Sequence, residues 1–191
     1  MNKNRLEAFS DGVIAILITI MVLELKIPHG GGWAALRPVL PVFLTYLLSF
    51  VFVGIYWNNH HHMLHMATSI DGRILWDNLH LLFWLSLVPF ATGWMGENDF
   101  APFPTAAYGL LLFLCGVAYT LLQAAIIAHQ GPQSRLAAAV GRDLKGKLSA
   151  VAYAVAIPCA FASRWIALAI YVAVSLMWLV PDRRIESRLT D

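Results

Sequence analysis

Charge is scarce in this chain. Asp, Glu, Lys and Arg make up 13% of its 191 residues against 59% hydrophobic ones, and the mean hydropathy is +0.67. A soluble domain carries about 25% charged residues to cover its surface, so this balance marks an integral membrane protein. Cysteine is scarce too: Cys115 and Cys159 both fall inside apolar runs, where they read as small buried hydrophobes and supply no disulfide framework. No series of regularly spaced arginines lies within an apolar run, which excludes a voltage-sensing span. The sequence also has no phosphate-binding glycine loop, no catalytic triad and no low-complexity linker. The net charge of +2 gives no reason to expect a nucleic-acid partner.

What is present is a series of apolar runs. Measured against the roughly 20 residues needed to cross a bilayer, they predict six membrane helices near 9–27, 38–58, 74–95, 105–128, 148–163 and 165–180. The last two are nearly continuous, with Ser163-Arg164 as the only turn between them. The expected fold is all-α, a six-helix bundle forming one membrane domain over residues 1–191. The first run reads as a mature helix and not a cleaved leader, because it contains Asp11 and Glu24 and no small-residue cleavage site follows Leu25.

Orientation comes from the placement of Lys and Arg, which are retained on the cytoplasmic side. With six spans, one set of connections holds Lys3, Arg5, Arg73, Arg135, Arg142, Lys145, Lys147, Arg183, Arg184 and Arg188, and the other holds Lys26, Arg37 and Arg164. Both termini are therefore expected in the cytoplasm, with the protein multi-pass in the cell membrane. The connection 96–104 carries Glu97 and Asp99 without a cation, in keeping with an outer position. Trp33, Trp57, Trp94 and Trp178 lie near span ends and suit interfacial belts.

Arg5-Leu6-Glu7-Ala8-Phe9-Ser10-Asp11-Gly12 leads directly into the first apolar run and sets ionisable groups at its cytoplasmic end, where they are costly and point to function. At 100° per residue, Ile16, Thr19, Ile20 and Leu23 share one face, whereas Asp11, Ala15, Ile18 and Val22 share another. Taken alone, such an aliphatic stripe reads as lipid-facing or packed core. A second polar cluster, Trp57-Asn58-Asn59-His60-His61-His62 with His65, ends the second run. His61 and His65 have the four-residue spacing of zinc ligands, but the Glu of a zinc-hydrolase signature and any nearby Cys are missing, so no metal is expected. Asp77-Asn78-Leu79-His80 opens the third run. Three polar clusters at one depth predict a mutually satisfied network, with Asp11 buried against Arg5 or an imidazole.

These residues carry a resemblance. Arg5-x-x-x-Phe9-Ser10-Asp11, Trp57-x-x-His60-His61, Asn78-x-x-x-Leu82 and Pro89-Phe90 resemble the lysosomal potassium channel family of transmembrane protein 175 type, in its single-repeat prokaryotic form. The resemblance implies a homotetramer in the lipid bilayer whose first helices line a central pore for potassium ions, without cofactors. In keeping with that family, the chain has no Thr-Val-Gly-Tyr-Gly filter. By position, the resemblance puts the apolar constriction on Ile16, further rings on Ile20 and Leu23, and the selectivity layer on Thr19. It puts the polar network on Arg5, Phe9, Ser10 and Asp11, with Trp57, His60, His61 and Asn78. His62 and His65 depart from the family pattern. Such a ring of aliphatic side chains would block ions by dewetting, a hydrophobic gate, while Glu24 would attract cations at the mouth or pair with Lys26. Two other readings are a membrane-embedded metal protein using His61, His62 and His65 with Asp71 or Asp77, and a non-conducting scaffold.

Overall fold

The chain folds entirely into helices over residues 3–179, the part described by the computed structural model. Arg183, Arg184 and Arg188, used above for orientation, lie outside the described residues. In chain order the helices are α1 (Lys3–Leu23), α2 (Leu40–Met66), α3 (Gly72–Ser86), α4 (Val88–Glu97), α5 (Pro102–Gln130), α6 (Arg135–Val140), α7 (Leu144–Ala162) and α8 (Arg164–Leu179). A short 3₁₀ turn, Trp33–Leu36, lies between α1 and α2. Among the described residues, α1, α2, the α3–α4 pair, α5 and α7 are long and apolar enough to cross a membrane, and α8 is apolar but shorter.

Helices lie over the six expected segments, with the first shifted from 9–27 to Lys3–Leu23 and two others changed further. The third is jointed at Leu87, between α3 and α4, because Pro89 has no N–H to bond the carbonyl four residues back. The second continues two turns further than expected and takes the whole histidine cluster into α2. Helix starts follow local chemistry. Asp71, Ser134 and Asp143 accept the backbone N–H of Ile74, Ala137 and Gly146 and so cap α3, α6 and α7. Ser163, extended at φ −158°, makes the turn between α7 and α8 where it was expected.

The helices alternate in direction, as the polar contacts at their ends require. At one end the Lys26 ammonium reaches Glu97 at 2.5 Å and Arg164 donates to the Asp99 carbonyl at 2.9 Å. The Glu97 hydrogen bond and charge raise the pKa of Lys26 in this exposed pair. At the other end Lys3 donates to the carbonyls of His65 and Ala67, and His129 meets Ser69 and Asp71. Helix α5 occupies the centre, against α3, α7 and α8, while α1 packs on α2, α3 and α4.

Buried polar groups pair across helices, as a low-dielectric interior demands. Thr92 donates to Ser49 at 2.6 Å, Ser49 shares a proton with the Tyr108 hydroxyl at 2.8 Å, and Tyr171 donates to the Thr105 carbonyl. Gly96 lets α4 press directly on α2: a Cβ there would sit 2.5 Å from Thr45 Oγ1 and 2.8 Å from Val42 Cα. Gly96→Ala therefore has to separate two backbones. A loss of about 1–3 kcal/mol is expected, the usual cost of overpacking, and thermal unfolding in detergent would show it. An unchanged melting temperature would mean that the two helices part freely.

Candidate functional site: the α1 face and its polar support

Helix α1 has two unlike sides. Leu6, Ser10, Ile14, Leu17 and Met21, spaced by three or four residues, are buried against α2, α3 and α4. On the other side, Ile16 is 57% exposed, Ile20 41% and Leu23 79%, with Thr19 exposed between them. The stripe continues toward the N-terminus through Gly12, Phe9, Ala8 and Arg5, all exposed. Ile16, Thr19, Ile20 and Leu23 thus share one face as the projection predicts, and that face is not core of its own subunit. Thr19 Oγ1 donates to the Ile16 carbonyl at 2.8 Å, which commits its proton to the backbone and leaves the oxygen lone pairs facing outward.

Behind the stripe lies a fully buried relay. The Ser10 hydroxyl donates to the Leu6 carbonyl at 2.9 Å and accepts from Asn78 Nδ2 at 3.0 Å, and Asn78 Oδ1 meets His60 Nε2 at 2.7 Å. Because Asn78 gives its N–H groups to Ser10, its oxygen faces His60, and the imidazole must carry its proton on Nε2. None of the three is more than 1% exposed. One side chain each from α1, α2 and α3 is locked in a single chain of hydrogen bonds.

The remaining expected members fall elsewhere. Asp11 accepts from Trp57 Nε1 at 3.0 Å on the exposed flank between α1 and α2, and not from Arg5 or an imidazole. Trp57 stacks on His61, with centroids 6.1 Å apart, and His61 stacks on His65 at 6.2 Å. Arg5 and Phe9 lie on the open stripe, and Arg5 has no ion pair among the described residues. The single network expected from the sequence is therefore two clusters. Helical geometry separates them: Ser10 belongs to the Leu6–Ile14–Leu17 side, whereas neighbouring residues turn 100° away from it.

Other local expectations change as well. Asp77 pairs with Arg73 at 3.7 Å, and His80 accepts from Trp84 at 2.8 Å on its own helix, so neither joins the relay. Lys26 pairs with Glu97, while the Glu24 carboxylate lies against Gly93. Among the described residues no three His, Cys, Asp or Glu side chains converge as metal ligands, and His61 and His65 lie ring against ring. The sequence reading missed Lys3 as the anchor of the α2–α3 connection and the Ser49–Thr92–Tyr108 group. Lone hydroxyls within apolar runs give no sequence signal of which partner they face.

Comparison with known proteins places this arrangement. The model of the family described as endosomal/lysosomal potassium channel TMEM175 matches residues 5–89, the segment that holds α1, the relay and the joint at Leu87. A Chryseobacterium protein named as a potassium channel is 52% identical over 191 residues, the whole of both chains. The human protein named endosomal/lysosomal proton channel TMEM175 is 36% identical over 96 residues, 44% of this chain and 19% of its own. Among solved structures, the chain is similar to a TMEM175 homologue from Chamaesiphon minutus, described as a lysosomal potassium-selective channel homologue. The TM-score is 0.83 at 25% identity, covering 94% of this chain and 97% of that one.

Proposed function

From the premise that this membrane protein belongs to the TMEM175 potassium-channel family, a family of channels and not of enzymes, we propose that it conducts potassium ions through a pore between four copies. The observation that carries this reading is the Ile16–Thr19–Ile20–Leu23 face, which its own subunit leaves uncovered while the opposite face of the same helix is packed against three neighbours. Four such faces around an axis make successive rings. Ile16 forms the narrowest apolar ring, with Ile20 and Leu23 above it, and conduction is controlled by whether water occupies them. Thr19 supplies oxygen lone pairs between two of these rings, and potassium, which sheds its hydration more readily than sodium, is favoured there. The Ser10–Asn78–His60 relay holds α1 at a fixed rotation so that these side chains face the axis. The protein acts in the cell membrane as one unit with both termini in the cytoplasm.

Reconstitution tests this. Purified protein in liposomes with a potassium gradient should carry potassium flux, and its mass in detergent should be that of four chains. Thr19→Val keeps the side-chain shape and removes the hydroxyls, so it should lower the potassium-over-sodium preference while the tetramer still forms. A monomer or dimer that passes no ions would make the chain a scaffold, and unchanged reversal potentials in Thr19→Val would assign Thr19 to packing.

A further inference from the structure

Away from the α1 face, a cleft enters the subunit between α2, α5 and α7. One chamber has a volume of about 330 Å³ and is walled mainly by apolar side chains, among them Phe52, Ile55, Phe113 and Val117, with Lys147 at its border. A second chamber of about 220 Å³ lies toward the start of α7 and is bordered by Arg142, Asp143 and Lys145. Asn59, Tyr119, Gln123, Asp143 and Trp178 line both, so the two chambers adjoin, with the charged residues gathered around the start of α7. Val117 and Leu121, which line the first chamber, are exposed.

Two observations point to an occupant. Around the start of α7, Arg142 and Lys145 border the second chamber and Lys147 the first, three positive charges against one carboxylate, Asp143, which already accepts the Gly146 N–H as a helix cap. Lys145 also lies 5.8 Å from the Trp178 ring, which borders both chambers. Gln123, only 8% exposed, borders both chambers, and its amide has no hydrogen-bond partner among the described residues. A ligand bearing ester or hydroxyl oxygens beside it would offer that amide hydrogen-bond partners.

We propose that this cleft is a site for a membrane phospholipid with an anionic headgroup. One acyl chain lies along Phe52, Ile55, Phe113 and Val117, the ester region meets Gln123, and the phosphate is held by Arg142, Lys145 and Lys147. Basic pockets between membrane helices on one side of the bilayer select anionic headgroups, and the apolar arm adds the chain's own burial. The site is independent of the α1 stripe.

Native mass spectrometry of the delipidated, detergent-purified protein tests it without any flux measurement. Phosphatidylglycerol, titrated against phosphatidylcholine of the same chains, should be retained at about tenfold lower concentration, saturating at one lipid per subunit. Gly116→Leu should fill the apolar arm, since a Cβ at Gly116 meets only the Tyr56 hydroxyl, 3.9 Å away, and it should abolish retention of both lipids. Arg142→Gln with Lys147→Gln should remove the preference for phosphatidylglycerol and leave phosphatidylcholine retention as in the parent. Equal retention of the two lipids by the parent, or unaltered retention by both variants, would overturn the proposal.

Discussion

Ile16→Asn is expected to raise ion flux through the reconstituted protein about tenfold or more, with leak under conditions where the parent is quiet. The substitution places an amide on every copy of the narrowest apolar ring, so water persists there, and each tenfold gain in rate corresponds to about 1.4 kcal/mol off the barrier. Folding should be spared. Ile16 is 57% exposed in its own subunit, and replacing it opens no cavity behind α1. Were the residue turned toward lipid instead, the amide would enter hydrocarbon at a cost of about 1–3 kcal/mol and produce instability without current. The control is Ile14→Asn, at a position 1% exposed against α2–α4, where only instability should follow. Opposite signs for two neighbouring positions in one flux assay decide between pore and lipid.

The largest loss of stability is expected from Asn78→Val. The Ser10 hydroxyl keeps its bond to the Leu6 carbonyl, but His60 Nε2–H is left at 1% exposure with nothing to accept it. A buried donor without a partner costs about 1–3 kcal/mol, to which the lost contact with Ser10 adds. Thermal unfolding should show a clear drop, partly recovered when His60→Leu removes the orphaned donor as well, because replacing both partners by apolar groups is much cheaper than removing one. Asp11→Ala should cost less than Asn78→Val, since its partner is a 45% exposed tryptophan. If Asn78→Val melts with the parent, water has reached His60 and the relay is not what fixes α1.

The sequence predicts Asp11 inside the buried network, and the reason it pairs with Trp57 instead lies in what periodicity can and cannot carry. The stripe of Ile16, Thr19, Ile20 and Leu23 was legible because a helix repeats every 3.6 residues, and the relay was partly legible because Ser10, His60 and Asn78 are polar groups at one depth in apolar runs. Partner choice was not. Whether Asp11 faces Arg5, an imidazole or Trp57 depends on the rotation of α1 against α2, a tertiary quantity that no single helix encodes. The turn at Ser163 was visible as the sole polar break in a long apolar run. The joint at Leu87 was missed although Pro89 announces it, because hydropathy continues unbroken through the third segment. The cleft between α2, α5 and α7 left no mark at all, since its walls come from three helices far apart in sequence.

The lengths of the helices bear on how the subunit sits in its bilayer. At 1.5 Å per residue, α2 and α5 reach roughly 40 and 43 Å, whereas α7 reaches only about 28 Å, against a hydrocarbon core of about 30 Å. Arg164 holds the α7–α8 turn level with the α4–α5 loop, so the whole difference falls at the opposite end, where residues 131–143 with α6 climb back from the tip of α5 to the start of α7. Hydrophobic mismatch is therefore uneven around the subunit. The long helices overhang any ordinary membrane, while α7 just spans one of average thickness. A thicker bilayer pulls first on α7, beside the cleft, and reaches α1 only through the helices between them.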